Sequence, residues 1–80
     1  MHKYEFKQCL ICPVDKKEID YRIALTTEYL ILVEEINEFF KSYAVQALQE
    51  ELVDDLKRKF PLATVTVVAT HGRVRITSKK

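Results

Sequence analysis

Two cysteines separated by two residues are the first feature of this sequence that could carry chemistry. Cys9 and Cys12 form a C-x-x-C pattern that Pro13 follows directly. A zinc site needs further ligands, and His2 and His71 lack the spacing of a ligand pair. A dithiol redox motif should open a helix, whereas a polar loop follows here. We therefore predict no metal site, and we interpret Cys9 as a buried strand residue.

Cys12 is the candidate nucleophile. It lies at the end of a predicted strand, next to Pro13, and Lys16 and Lys17 are close in sequence. We expect a thiol in that place to be partly exposed, and nearby cations favour the thiolate that a nucleophile requires. The alternative is a packed thiol at the mouth of the loop, and the residue types alone leave both interpretations open.

Two acidic side chains complete the candidate set. Asp20 comes eight residues after Cys12, where it could exchange a proton across the loop. Glu50, in a predicted helix, could accept two adjacent N–H donors of a flat heterocycle. The alternatives are an ordinary exposed strand aspartate and a solvated helix face. We interpret His71 as a turn residue only.

Alternation of polar and apolar residues predicts the strands that would position these side chains. The pattern covers residues 3–11, 19–26 and 62–70, and it continues through Val74 and Ile76. A two-residue turn at His71-Gly72 would join the last two strands into a hairpin.

Apolar residues at helical spacing predict two helices between the second and third strands. The first covers residues 29–43, but its start is left open: Thr27 could cap it, or residues 29–32 could extend the second strand. The second covers about 45–59, and Phe60-Pro61 ends it because a residue before proline avoids helical geometry. Each helix has one apolar face, so we predict an α+β fold of order ββααββ, a four-stranded antiparallel sheet with two helices on one face.

Length and composition limit the class of protein. Eighty residues predict a single domain over 1–80. A domain of this size is marginal alone, and two cysteines are too few for a disulfide scaffold, so we expect a homo-oligomer. No secretory leader or membrane-length apolar run is visible. We expect a cytoplasmic chain with no membrane partner and with reduced cysteines.

Charge is distributed unevenly although the net charge is only +1. Residues 34–55 are mainly acidic, and residues 56–80 contain no Asp or Glu. Such polarity can steer an anionic partner. For Lys57, Arg58 and Lys59 the simpler interpretation is that they complement the C-terminus of a helix.

Taken in order, these features resemble the tunnelling fold, or T-fold. Within that fold the chain is similar to the 7-cyano-7-deazaguanine (nitrile) reductases of queuosine synthesis, called QueF. It is more similar to their short archaeal relatives, the QueF-like amidinotransferases of archaeosine synthesis. The resemblance covers roughly residues 10–78, and its matching residues are Ile11-Cys12-Pro13, the strand from Asp20 to Leu25, Val33-Glu34-Glu35, Ser42-Tyr43 and Leu48-Gln49-Glu50-Glu51-Leu52.

The resemblance implies roles for the candidate residues. Cys12 matches the family nucleophile, which adds to the nitrile carbon and gives a covalent thioimide. Asp20 lies near the family's general acid, although a gapless register puts Ile19 at that position. Glu50 matches the glutamate that anchors the guanine-like ring, and Gln49 stands where the family has histidine.

The resemblance also implies substrates and partners. The Glu-Ser-Lys-Ser-Leu-Lys stretch that reductases use for their nicotinamide cofactor is absent after Thr27. This favours an amidinotransferase that modifies a 7-deazaguanine base within tRNA, needs no cofactor, and has active sites at interfaces of a homo-oligomer. The alternatives are an NADPH-dependent reductase, a GTP cyclohydrolase-like enzyme, and a non-catalytic module of the same fold.

Overall fold

The computed structural model describes residues 1–43 and 46–80. Within this part the chain forms four strands and two helices in the predicted ββααββ order. Their bounds are β1 (His2–Ile11), β2 (Glu18–Thr27), α1 (Val33–Lys41), α2 (Gln49–Lys59), β3 (Thr64–His71) and β4 (Val74–Lys79). No helix in the described ranges is both long enough and apolar enough to cross a membrane.

The strands pair antiparallel in the order β1-β2-β3-β4. The sheet edges are therefore β1 and β4. Cys9 lies opposite Asp20 in the first pair, and His71 lies opposite Val74 in the last. The turns of the β1–β2 and β3–β4 hairpins lie at the same end of the sheet, which brings residues far apart in sequence close in space.

One face of the sheet forms the core with both helices. Alternate residues of each strand point to the same face, and on β2 and β3 these are buried. Phe6 of β1 contacts Phe40 of α1 with ring centroids 5.5 Å apart, and α2 lies against β3 and β4. The fully buried side chains are Ile23, Leu25, Leu52, Val53, Leu56, Val65 and Val67. The predicted placement of both helices on one face is confirmed, and the other face carries polar groups such as Arg22.

The first helix begins four residues later than predicted. Residues 29–32 lie outside both β2 and α1, and side chains from elsewhere accept hydrogen bonds from their backbone. Thr27 Oγ1 accepts from the Tyr29 N–H at 3.0 Å, and the Tyr4 hydroxyl accepts from the Ile31 N–H at 2.8 Å. The Glu35 carboxylate then accepts from the Leu32 N–H at 3.2 Å and caps the start of α1.

The second helix also begins later, at Gln49 instead of residue 45. Ala44 and Val45 lie outside the described residues, and Gln46 forms a parallel bridge with Ile11 instead of a helical turn. The predicted end is confirmed, since α2 stops at Lys59, just before Phe60-Pro61. The β-hairpin turn is shifted by one residue.

That turn is Gly72-Arg73, because His71 pairs with Val74 as the last rung of the ladder. Gly72 has φ of +63°, the left-handed conformation that glycine adopts without steric cost.

Candidate active site

The loop between β1 and β2 holds Cys12 in a fixed turn. The Cys12 N–H donates to the Lys17 carbonyl at 2.9 Å, and the Lys16 N–H donates to the Cys12 carbonyl at 2.9 Å. Lys16 adopts φ of 63° to close this turn. Asp15 Oδ1 accepts from the Lys17 N–H at 3.0 Å. These bonds orient the Asp15 side chain within the loop.

Cys12 is buried, with 7% of its surface exposed, which agrees with the packed thiol that the sequence left open beside a partly exposed one. The alternation that places Phe6 and Leu10 on the helix side continues to Cys12, so its side chain points toward the core. Its surroundings are not purely hydrocarbon. The Cys12 thiol contributes to lowering the pKa of Asp15, and burial together with the neighbouring Cys12 raises the pKa of Tyr21. The sulfur therefore lies at the rim of the core with a polar neighbour.

His71 reaches Asp15 from the other hairpin. Its Nε2 lies 3.1 Å from Asp15 Oδ2, and both side chains keep access to solvent. The Lys17 N–H has the largest effect on the pKa of Asp15, and the His71 ring and the Cys12 thiol add to it, so the pKa is lowered although burial opposes the shift. The structure thus brings Cys12, Asp15 and His71 together. Sequence reasoning singled out only Cys12 of these three.

Asp20 lies on the opposite face of the sheet from Cys12. It is exposed and pairs across the strands with Cys9, while the adjacent Ile19 is buried on the Cys12 side. The structure does not bring Asp20 to the Cys12 thiol within one chain. It brings Asp20 to Cys9 instead.

Cys9 is exposed, and the prediction of a buried Cys9 is wrong. The side chains of Cys9 and Cys12 point to opposite faces, and both are free thiols. Partial desolvation raises the pKa of Cys9, and the carboxylates of Glu18 and Asp20 raise it further. Within residues 1–43 and 46–80, no group of three or more His, Cys, Asp and Glu side chains is arranged to hold a metal ion.

Glu50 lies in the first turn of α2, beside the β4 edge. It lines a hollow of about 160 Å³ together with Val53, Asp54, Ser78, Lys79 and Lys80. The carboxylate is exposed, and Lys80 forms an ion pair with Asp54 in the same hollow. The charges around Glu50 are thus of both signs, and its carboxylate faces an open space in which a ligand edge could lie.

Gln49 fixes the position of Glu50 on the sheet. Its side-chain nitrogen donates to the Val67 and Ile76 carbonyls at 3.0 Å each and lies 3.2 Å from Ser78 Oγ. The first turn of α2 is thereby attached to both β3 and β4. Gln49 was noticed in the sequence only as a departure from the family histidine, and the structure assigns it an anchoring contact.

Cys12 and Glu50 lie at different edges of the sheet. Cys12 follows β1, and Glu50 lies beside β4, with β2 and β3 between them. Three strand spacings separate the outer strands, which amounts to about 14 Å. One chain does not bring these two side chains into a common pocket.

The basic residues at the end of α2 act mainly within the chain. Lys57 Nζ donates to the Ala63 carbonyl at 2.7 Å, and Arg58 forms an ion pair with Asp55 at 3.0 Å. These contacts agree with the simpler interpretation of this charge run. Arg75 instead lies on the open face of the sheet, near Arg22, where it lines a separate hollow.

Comparison with solved structures gives an informative likeness. No protein-family profile matches the chain, and no curated protein matches it. A solved structure, the crystal structure of the archaeosine synthase QueF-Like in its apo form, superimposes with a TM-score of 0.82. The match covers 99% of this chain and 89% of that chain, at 20% sequence identity. This likeness confirms the fold expected from the resemblance.

Proposed function

We propose that this chain is a QueF-like enzyme that acts on a 7-cyano-7-deazaguanine group through a covalent thioimide on Cys12. The observation that carries the proposal is the fold shared with archaeosine synthase QueF-Like over 99% of the chain. It is supported by Cys12, which the β1–β2 loop holds in the same closed turn as Asp15. The reaction class is that of an archaeosine-type amidinotransferase, with the base held within tRNA.

The proposed chemistry needs only the thiol, a proton carrier and ammonia. The Cys12 sulfur adds to the nitrile carbon, and the nitrile nitrogen takes up the thiol proton, which gives a thioimide. Ammonia then adds to the same carbon, and the carbon–sulfur bond breaks. The products are an amidine and the regenerated thiol, so no cofactor enters the balance.

Glu50 is proposed to hold the guanine-like edge of the base. A carboxylate matches two adjacent N–H donors, and the hollow beside Glu50 is open to a neighbouring molecule. Because Cys12 and Glu50 lie at opposite sheet edges, the complete site needs Cys12 from one protomer and Glu50 from another. Exposed Val74 and Ile76 on edge strand β4 support such an assembly.

Intact-mass spectrometry tests this function directly. Incubation with the free nitrile base should increase the mass of the chain by the mass of that base, and the Cys12→Ala variant should show no increase. Cys9→Ala is the matched control, because Cys9 lies on the opposite face and should be dispensable for the adduct. An unmodified wild-type oligomer, or an adduct that persists in Cys12→Ala, would refute the proposal.

The reaction partner separates the enzymes that share this intermediate. We expect an amidine on nitrile-bearing tRNA when ammonium is supplied, and no NADPH oxidation. Oxidation of NADPH that depends on the nitrile would instead identify the reductase alternative, and GTP turnover would identify a cyclohydrolase.

A non-catalytic module is the second candidate function. The observations that favour it are the 7% exposure of Cys12 and the presence of buried Ile19 where the resemblance places a general acid. In that case the chain would bind the base with equal affinity in wild-type and Cys12→Ala forms and form no adduct. Calorimetric titration of both forms with the base decides between the two functions.

A further inference from the structure

The contact between the β1–β2 loop and the β3–β4 turn suggests a catalytic group that the sequence did not reveal. We propose that Asp15, oriented by His71, takes the proton from the Cys12 thiol and delivers it to the nitrile nitrogen. This inference rests on the proposed function and names the proton carrier of that reaction. It makes Asp15 a catalytic residue and His71 a positioning residue.

Asp15 has the geometry that a proton acceptor requires. One carboxylate oxygen accepts the Lys17 N–H at 3.0 Å, and the other lies 3.1 Å from His71 Nε2. The Cys12 N–H donates to the Lys17 carbonyl and the Lys16 N–H donates to the Cys12 carbonyl, so Asp15 lies within a closed turn that begins at Cys12. Because both oxygens are held, the carboxylate has a fixed orientation in the turn that carries the thiol, as general acid–base catalysis needs.

Asp20 is badly placed for this work in the same chain. Its side chain points to the open face of the sheet, whereas Cys12 points to the helix face, and the residue at the matching position on the Cys12 side is the aliphatic Ile19. Asp15, which lies in the turn that begins at Cys12, is therefore the better placed of the two acidic residues. Its role does not depend on the one-residue alignment shift that Asp20 would need.

Asp15 alone can carry the proton from the thiol to the nitrile nitrogen. As the sulfur–carbon bond forms, the thiol proton moves to the Asp15 carboxylate, and one π pair of the nitrile becomes a lone pair on nitrogen. The protonated Asp15 then donates that proton to the nitrogen, which gives the neutral thioimide and restores the carboxylate. Nothing is oxidised or reduced.

His71 supplies orientation because it comes from a separate hairpin. The tight Gly72-Arg73 turn fixes the end of β3, and the imidazole reaches across to Asp15. A ring held this way limits the rotation of the carboxylate. Loss of the ring should misplace Asp15 without removing it.

Adduct kinetics with the free nitrile base test the role of Asp15. We expect Asp15→Asn to slow thioimide formation by about a hundredfold or more, the range of a lost general acid–base group, and Asp15→Glu to restore part of the rate. Asp20→Asn should leave the rate within about threefold, since substitutions of surface residues usually have small effects. An Asp15→Asn rate equal to wild type, or a large loss in Asp20→Asn alone, would overturn the assignment.

A double-variant comparison tests the positioning role of His71. We expect His71→Phe to slow the adduct roughly ten- to a hundredfold, the effect of a misplaced catalytic group. In the Asp15→Asn background the same change should cost nothing more, because residues that act as a unit are not additive. Independent, additive effects would show that His71 acts elsewhere.

Alkylation with iodoacetamide separates failure of this inference from failure of the proposed function, because it needs no nitrile. In a Cys9→Ala background only Cys12 can react. At one fixed pH we expect Asp15→Asn to slow the alkylation of Cys12, since the group that accepts the thiol proton is lost, and Asp20→Asn to leave the rate unchanged. Slower alkylation without any nitrile adduct would reject the proposed function while keeping the role of Asp15. An unchanged rate would reject that role, and urea unfolding of each variant confirms that it is folded.

Discussion

At the scale of single residues, the two thiols differ in their surroundings. Cys9 is exposed on the open face, and partial desolvation together with the Glu18 and Asp20 carboxylates raises its pKa. Carboxylates disfavour the thiolate, so their removal should lower that pKa. We expect Asp20→Asn to make iodoacetamide labelling of Cys9 faster at pH 8 and to move its midpoint to lower pH.

Peptide mapping of the labelled protein measures this prediction, because it reports each cysteine separately. Asp15→Asn is the matched control, since Asp15 lies at Cys12 and should leave the labelling of Cys9 unchanged. Slower labelling of Cys9 in Asp20→Asn would contradict the assigned charge effect.

The prediction of a buried Cys9 was wrong and the environment of Cys12 was left open, although the sequence contains a signal for both. The alternation that begins with Tyr4 and Phe6 on the buried side continues through Leu10 to Cys12 and excludes Cys9. The place of Cys12 next to Pro13 and the nearby lysines suggested an exposed loop, so the packed thiol stayed only one of two interpretations. The ordered turn around Cys12 continues the pleat beyond the strand and keeps the thiol inward.

At the scale of elements, Gln49 attaches the start of α2 to β3 and β4. Replacing it with methionine keeps the side-chain length but leaves the Val67 and Ile76 carbonyls without this donor. We expect Gln49→Met to lower the free energy of unfolding by about 1–3 kcal/mol, the cost of unpaired polar groups. Urea unfolding followed by circular dichroism measures it.

Gln46→Met is the matched control for that change. Gln46 precedes α2 by three residues, and its side chain makes an exposed contact with Lys16 Nζ at 3.4 Å. Its bridge with Ile11 is made by the backbone, which the substitution keeps. Such surface contacts contribute little, so its unfolding midpoint should stay near the wild-type value. If Gln49→Met and Gln46→Met lost the same free energy of unfolding, the hydrogen bonds of Gln49 to β3 and β4 would not explain the loss.

The turn between β3 and β4 depends on the backbone conformation of Gly72. At φ of +63° an added Cβ would meet no atom within 4 Å, so conformational strain alone should set the cost of substitution. We expect Gly72→Ala to destabilise by about 1–2 kcal/mol and Gly72→Asn by less, because asparagine tolerates this region. Thermal unfolding of the two variants measures the difference, and equal stability of Ala and wild type would contradict it.

Element types could be predicted from the sequence, but the starts of the two helices could not. The period of apolar residues gave strands and helices in the right order, because that period directly reflects which face is buried. The start of α1 depends on Tyr4, which accepts a hydrogen bond from Ile31, 27 residues away. A contact of that kind leaves no local pattern in the sequence.

At the scale of the whole molecule, the candidate site could be predicted only in part. Cys12 and Glu50 were recognised because they match short motifs of a resembling family. Asp15 and His71 are 56 residues apart, and they meet only because the β1–β2 and β3–β4 turns lie at one end of the sheet. Their contact follows from topology and turn shape, which a one-dimensional pattern does not record.

The separation of Cys12 and Glu50 on opposite sheet edges leads to the last prediction, which concerns mixed assemblies. Cys12→Ala and Glu50→Gln should each be inactive in amidine formation as homo-oligomers. If each site combines Cys12 of one protomer with Glu50 of another, unfolding and refolding the two variants together in equal amounts should place both intact residues in about a quarter of the sites. Activity should then return to about that fraction of wild type, whereas variants refolded separately and then combined without exchange should stay inactive. Native mass spectrometry verifies that hybrid oligomers have formed. If the co-refolded mixture contains them and is still inactive, a site shared between protomers in this way does not exist.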